Sequence, residues 1–195
     1  MDAITLTDGL SCLALAVALA ACAGIRAWLP LLLAGILARA ELLKLQDSFA
    51  FIGSNKALAL FAAATLLEIL GDKVPAVDHT LDALGTVLRP AAGSLLAASV
   101  MWQVSDPLTA LALGAAVGAP VAMAPHAAKS ALRAVSTTFT AGLANPVLSF
   151  LEDVFTVMLF VLAILVPVLV AATLAVVALL VARRLHRRRA VVGAA

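Results

Sequence analysis

Four carboxylates that could bind a proton or a cation lie in one short stretch between two apolar runs. A charged side chain inside lipid costs about 2.5 to 3.5 kcal/mol on insertion scales, so such residues need a role. Residues four apart in a helix share a face, and a helix does not run freely through proline. The spacing therefore predicts one polar site at a break in the backbone. Its two pairs are Glu68 with Asp72 before Pro75, and Asp78 with Asp82 after it.

These carboxylates allow two kinds of chemistry. In a low-dielectric site they can carry protons, because their charge changes as water reaches them. Their oxygens also suit a hard divalent cation, Mg²⁺ or Ca²⁺, so a cation such as Mg²⁺ is the expected cofactor if the site holds a metal. Lys73 and Arg89 lie in the same stretch, and we expect them to be ion-pair partners. If the carboxylates instead lie at the membrane surface, these ion pairs would only fix helix packing.

A second polar stretch, residues 125–142, is basic and rich in hydroxyl groups. At helical spacing one of its faces carries two cations followed by three hydroxyls, the last of them Thr140. Such side chains bind anionic groups, phosphate above all. The alternative is that the cations extend to the cytoplasmic interface under the positive-inside rule. The candidate ligands of an anionic substrate are Lys129, Arg133, Ser136 and Thr137, with Arg26 from the first half of the chain.

Other ionisable residues are open to simpler interpretations. His79 and His126 each neighbour a proline, where capping roles are common, and we place neither in the core of the site. Glu152 and Asp153 fall near the start of a helix, where the positive end of the helix dipole favours them. A role in the site is equally open to this acidic pair.

The composition predicts an all-α polytopic membrane protein. Of the 195 residues, 64% are hydrophobic and 12% are charged, and the mean hydropathy is +1.13. With about 20 residues for each spanning helix, the chain has room for six or seven crossings in one transmembrane domain, 1–195, and none for a separate soluble domain. Proline-broken or re-entrant segments are expected. The predicted segments are 9–24, 27–45, 57–71, 86–102, 108–123, 125–142 and 154–182, with a loop at 46–56.

The two halves of the sequence resemble each other at an offset of 107 positions. Arg26 aligns with Arg133, and the Ala-Gly pair at 34–35 aligns with that at 141–142. This indicates a two-fold repeat with halves at about 9–103 and 107–182, a design found in transporters. Whether the repeat is parallel or inverted depends on the region after Pro75.

The basic tail, 183–195, follows a long apolar run and predicts a cytoplasmic C-terminus. It is therefore no sign of a nucleic-acid partner. The expected partners are the lipid bilayer and an anionic small molecule or lipid headgroup, and the small-residue helix faces would allow a homo-oligomer.

Several stretches together resemble a known family of bacterial integral membrane proteins, domain of unknown function 4126. The resemblance covers nearly the whole chain and implies location in the bacterial inner membrane, but it implies no activity. A fainter similarity links the basic stretch to re-entrant segments of bacterial carriers and phosphatases of polyprenyl phosphate lipids. The matching stretches are residues 24–30, 68–78 with Asp82, 89–93, 128–133 and 149–153.

The sequence therefore favours a small inner-membrane transporter or carrier, with a carboxylate cluster for a proton or cation and basic residues for an anionic substrate. One alternative is a metal-dependent membrane enzyme that acts on lipid phosphates. Against an enzyme, no nucleophile pairs with a base and there is no glycine-rich phosphate loop. The other alternative is a structural or assembly protein of the membrane.

Overall fold

The computed structural model describes residues 3–166, with the side chains of residues 3–8, 75, 76, 78 and 79 left out. Within this range the regular structure is entirely helical, which confirms the all-α part of the predicted fold class. The helices are α1 (Ala3–Ile25), α2 (Trp28–Arg39), a 3₁₀ helix (Asp47–Gly53), α3 (Asn55–Gly71), α4 (Pro75–Ser99), α5 (Pro107–Thr140) and α6 (Asn145–Val166).

Local sequence signals explain where two of the helices begin. Asp106 accepts a hydrogen bond from the backbone N–H of Thr109 at 2.7 Å, and Pro107 follows it at the first position of α5. Ser54 caps α3 in the same way, through the N–H of Ala57 at 3.2 Å. The predicted start at Asp106 is confirmed. The predicted loop 46–56 contains a short 3₁₀ helix instead.

Prolines break the helices less than predicted. The crossing expected to start at residue 86 is part of α4, which begins at Pro75 and continues through Pro90. The segments predicted at 108–123 and 125–142 are one helix, α5, which continues through Pro120 and Pro125. An internal proline removes one helical hydrogen bond, and packing against neighbouring helices compensates for that loss.

Helices α1, α4 and α5 form the centre of the bundle. Their backbones come close because small residues line the contact. A Cβ atom on Gly93 would lie 2.8 Å from the carbonyl oxygen of Gly118, and one on Gly114 would lie 2.6 Å from that of Ser94. Glycine is therefore required at the α4–α5 contact, as in tightly packed membrane helices.

Two described helices, α5 and α6, are long and apolar enough to cross a membrane. The 3₁₀ helix and α3, bent by 57° between them, would make a third span if they act as one. The prediction of six or seven crossings is not confirmed, and neither is the two-fold repeat. Arg26 lies between α1 and α2 whereas Arg133 lies inside α5, so the aligned arginines differ in local structure. The first part of the last predicted segment, 154–182, lies within α6. The rest of that segment, beyond residue 166, and the basic tail lie outside the described residues.

Candidate functional site

The site is built where helices end. Arg26 lies in the short link between α1 and α2, and its side chain has no exposed surface. Asp72 is the residue directly after α3, and its side chain is equally inaccessible. The two side chains form a buried ion pair. The break before Pro75 therefore does carry a buried carboxylate, as the sequence predicts.

Asp72 is the centre of a group of three cations. Besides Arg26, its Oδ2 atom accepts a hydrogen bond from Arg133 Nη2 at 2.9 Å and lies 3.4 Å from Lys129 Nζ. Lys129 and Arg133 both come from the buried face of α5. The structure thus brings together the three cations predicted from both halves of the chain, around one of the predicted carboxylates.

Helix α6 supplies two further carboxylates to these cations. Glu152 receives both Arg133 Nε, at 3.1 Å, and Arg133 Nη2, at 2.9 Å, which is the paired geometry that arginine favours. Lys129 Nζ lies 3.0 Å from the same carboxylate. Asp153 Oδ1 lies 2.7 Å from Arg26 Nε. Ser149 Oγ accepts a hydrogen bond from Arg26 Nη2 at 2.8 Å. The cations are therefore held from α3 on one side and from α6 on the other.

A second part of the cluster surrounds Arg89 on α4. Its Nη1 atom contacts His126 Nδ1 and lies 3.5 Å from Asp82, and its Nη2 atom lies 3.8 Å from Glu68. A guanidinium has only donors, so His126 Nδ1 must be the acceptor and carries no proton. Lys129 Nζ, 3.9 Å from Asp82, links this part to the first.

Glu68 also holds the start of α2. Its two carboxylate oxygens accept the backbone N–H groups of Ala27, at 3.2 Å, and Trp28, at 3.3 Å. A carboxylate at a helix N-terminus satisfies free N–H groups and suits the positive end of the helix dipole. The carboxylate predicted to bind a proton or cation thus has a clear structural contact as well.

Three other predicted residues lie apart from the cluster. Within the described contacts, Thr137 Oγ1 accepts a hydrogen bond from Asn145 Nδ2 at 3.2 Å, and Ser136 makes no hydrogen bond to the three cations. Lys73 is exposed and forms no ion pair with any described side chain. The side chain of Asp78 is among those that the structure does not describe.

The sequence reasoning missed two contributors to the cluster and left two others open between a dipole role and a site role. His126 was assigned a capping role, but it lies one turn before Lys129 on the same face of α5 and could have been found from that spacing. The adjacent acids 152 and 153 were the open pair, and the structure places both of them against cations. Ser149 gave no signal of its own. The four residues are His126, Ser149, Glu152 and Asp153.

The described carboxylates face cations and do not converge on one another. Among the described side chains, no group of three His, Cys, Asp or Glu residues is placed to hold a metal ion. Glu68, Asp72 and Asp82 each lie within 4 Å of Arg or Lys nitrogen atoms. This arrangement gives the Mg²⁺ hypothesis no support from the described part of the site.

Two cavities adjoin the cluster from different sides. The larger, about 450 Å³, lies among the end of α1, α5 and α6, and its apolar wall is interrupted only by Lys129 and Glu152. The smaller, about 220 Å³, lies among α2, α3 and α4 and reaches Glu68 and Arg89. The volume of the larger cavity falls within the range of small-molecule binding sites, and that of the smaller cavity lies somewhat below it. The ion cluster thus lies between two cavities that are lined by different helices.

Over residues 3–166 the fold and the site define a helical protein with two or three candidate membrane spans and a buried cluster of ion pairs. The family model described as Domain of unknown function (DUF4126) matches residues 13–187, so the chain belongs to that family. The predicted family is confirmed, and its description assigns no activity. No curated protein and no solved structure matches the chain.

Proposed function

We propose that this protein is a small multi-pass carrier of the bacterial inner membrane, with a cytoplasmic C-terminus, that moves an anionic substrate in exchange with or together with a proton or cation. The observation that carries the proposal is the convergence of Arg26, Lys129 and Arg133 on Asp72 and Glu152, beside an apolar cavity. Oppositely charged groups buried beside an apolar space suit a substrate that is itself charged at one end.

The energetics favour a function over a purely structural role. Burying an ion costs several kcal/mol, and a well-packed apolar replacement of a buried ion pair is often neutral or stabilising by about 1–4 kcal/mol. A cluster of this size is therefore an expensive way to hold helices together. Ionisable residues inside membrane proteins generally mark pathways of ions or substrates.

The carboxylates occupy the positions that a substrate anion would take. Asp72 and Glu152 already satisfy the three cations, so an incoming anion must displace one of them. Protonation of a carboxylate removes its charge and releases its cation to bind the substrate. Loss of the proton restores the internal ion pair and expels the substrate. This exchange would couple substrate binding to the proton.

The larger cavity indicates the form of the substrate. Its wall is apolar along α5 and α6, and its charged residues, Lys129 and Glu152, belong to the ion cluster. A molecule with an apolar tail and an anionic head could place the head against the cations and the tail in the cavity. A phosphate-bearing lipid has this form, and phosphate suits arginine and lysine together.

Flux in liposomes containing the purified full chain tests the proposal. One arm follows a fluorescent lipid phosphate crossing the bilayer, and the other follows uptake of radiolabelled inorganic phosphate, both with an imposed pH gradient. We expect gradient-dependent movement of the lipid probe. Lys129→Gln should abolish it, whereas the matched change at the exposed Lys73, Lys73→Gln, should leave it unchanged.

The two arms separate a lipid from a free phosphate as the source of the anionic group. Movement of inorganic phosphate alone would support a carrier of small anions. The proposal fails if neither probe moves with the wild-type protein, or if Lys129→Gln transports as fast as wild type.

A structural or assembly role is the second candidate, and one observation favours it. Each described cation of the cluster has at least one carboxylate within 4 Å, so the network is closed as it stands. This role predicts that neutralising the charges changes stability and leaves flux unaffected.

The expected six or seven crossings and the two-fold repeat remain predictions.

A further inference from the structure

The described side chains of the cluster do not balance in charge. There are five carboxylates and four cations, so the cluster has a net charge of −1 when every carboxylate is ionised. His126 adds no positive charge, because its Nδ1 accepts a hydrogen bond from Arg89. An unbalanced buried charge is costly, and uptake of one proton would remove it. The carboxylates are Glu68, Asp72, Asp82, Glu152 and Asp153, and the cations are Arg26, Arg89, Lys129 and Arg133.

Most of the carboxylates are held by more than one donor or cation. Asp72 meets three cations. Glu152 is paired with Arg133 and lies 3.0 Å from Lys129. Each of these two carboxylates therefore has more than one cation as a partner.

The carboxylates beside Arg89 are also doubly held. Glu68 accepts two backbone N–H groups at the start of α2 in addition to its contact with Arg89. Asp82 Oδ1, like Asp153 Oδ1, has no aligned hydrogen bond, but it lies near two cations, at 3.5 Å from Arg89 and 3.9 Å from Lys129. Neither one is the surplus carboxylate of the cluster.

Asp153 differs from these four. Within the described contacts its one cation is Arg26, and Arg26 also meets Asp72 and lies 3.8 Å from Glu152. Asp72, Glu152 and Asp153 therefore share the Arg26 guanidinium. Asp72 and Glu152 also have other cations as partners. The charged groups that face Asp153 are Arg26 from the α1–α2 link, Glu68 and Asp72 from the end of α3, and its neighbour Glu152 on α6.

The contact between Asp153 and Arg26 is itself imperfect. Asp153 Oδ1 and Arg26 Nε are 2.7 Å apart, yet neither atom has an aligned hydrogen bond. The Asp153 side chain keeps 20% of its surface exposed, so a proton can reach it. Asp72, in contrast, has none of its side chain exposed.

We propose that the buried cluster exchanges one proton and that Asp153 is the group that holds it. A proton from the acidified aqueous phase adds to a carboxylate oxygen of Asp153. The net charge of the described cluster then changes from −1 to zero. Arg26 Nε then loses its ionic partner and is free to meet an oxygen of an anion. Only this last step, the coupling of the proton to a substrate, rests on the proposed function.

Infrared difference spectroscopy during an acid titration of the full chain in lipid nanodiscs tests this directly. Protonation of a buried aspartate adds a carbonyl-stretch band of a carboxylic acid. We expect the wild-type protein to show such a band and Asp153→Asn to lack it. The matched variant Asp47→Asn removes an exposed carboxylate outside the cluster and should retain it. A band unchanged in Asp153→Asn, or lost in Asp47→Asn, overturns the proposal.

A second variant covers the case in which Asp153→Asn does not fold. Asp153→Glu keeps the acid in a longer side chain, so the band should persist at a shifted frequency and midpoint pH. An unshifted band would place the proton elsewhere and overturn the proposal. The spectroscopy needs no substrate, so its outcome is separate from the flux assay. A band that depends on Asp153 without flux contradicts only the carrier, and flux with a band independent of Asp153 contradicts only this inference.

Discussion

The buried face of α5 is built in two different ways along its length. Toward its N-terminus the face consists of alanine and glycine, and toward its C-terminus it carries a histidine and two cations, with all seven residues buried at helical spacing. The small-residue half lets the backbones of α4 and α5 touch. The ionic half fills the same kind of space with charged side chains. The small residues are Ala110, Gly114, Gly118 and Ala122, and the polar ones are His126, Lys129 and Arg133.

The difference shows how one helix can hold a fold together and carry a site. Close packing of small residues gains dispersion energy without burying charge, so the first half can stabilise the bundle by itself. The second half buries ions at a cost that the packing must offset. We therefore expect changes in the first half to act on stability alone, and changes in the second to act on flux, with a further loss of stability where a buried ion is left without its partner.

The largest expected effect breaks the ionic half. Asp72→Asn would leave Arg26, Lys129 and Arg133 without their common carboxylate, and removing one partner of a buried ion pair typically costs about 3–5 kcal/mol. We expect a large fall in the free energy of unfolding and no flux. Thermal unfolding in detergent measures the first, with Asp47→Asn at an exposed position as the control. Wild-type stability in Asp72→Asn would mean that the cations do not depend on this carboxylate.

A smaller effect is expected from Arg133→Lys, which keeps the charge but loses the two parallel hydrogen bonds to Glu152. Hydrogen bonds to charged groups contribute about 1.5–3 kcal/mol, so unfolding should become easier by that order. Flux of the lipid probe should fall about tenfold, a loss that corresponds to about 1.4 kcal/mol. Flux equal to wild type would show that a point charge is enough at this position.

Gly118→Ala tests the small-residue half. The added Cβ would collide with the backbone of Gly93, and overpacking of this kind costs about 1–3 kcal/mol. We expect a lower unfolding temperature with normal flux per folded molecule. In Gly9→Ala, the matched control, the new Cβ lies 3.6 Å from the nearest atom and should be tolerated. Loss of flux without loss of stability in Gly118→Ala would contradict the division of roles.

The smallest effect lies at the N-cap of α5, before the candidate membrane span begins. Hydrogen bonds from the Thr109 side chain and backbone hold the pKa of Asp106 below its ordinary value of 3.8. Because the folded pKa is depressed, the stabilisation is present above the unfolded pKa and is lost as the pH falls through the folded pKa. Asp106→Asn should remove this small acid-dependent component from the unfolding temperature. Identical pH profiles for the two proteins would show that the cap has no ionic contribution.

The sequence predicted contacts between charged residues better than it predicted where helices begin and end, because packing between helices decides the latter. The approach of Arg26, Lys129 and Arg133 to Asp72 could be predicted, because isolated charges in an apolar chain must find partners. The continuity of α5 through Pro125 could not, since helix neighbours compensate for the missing hydrogen bond. The sequence also could not separate a dipole role from an ion-pair role for Glu152, because both place an acid early in a helix.

The hydroxyl residues show another limit of the pattern. Ser136 and Thr137 follow Arg133 by three and four positions, which suggested one continuous polar face. In the structure the helix ends soon afterwards, and Thr137 is engaged by Asn145 at the turn into α6. A helical pattern gives the face of a residue but not the partner that the next turn of the chain brings to it.

The most direct test of the account is the flux of the lipid phosphate probe through the double variant Lys129→Met with Glu152→Gln. The two changes remove one cation and one carboxylate that lie 3.0 Å apart and leave the net charge of the cluster unchanged. Because a buried ion pair can often be neutralised without loss of stability, the fold should survive. The account predicts a folded protein that moves no probe, with an unfolding temperature that falls modestly because glutamine can accept only one of the two hydrogen bonds that Arg133 donates to Glu152. A folded double variant with wild-type flux would contradict it.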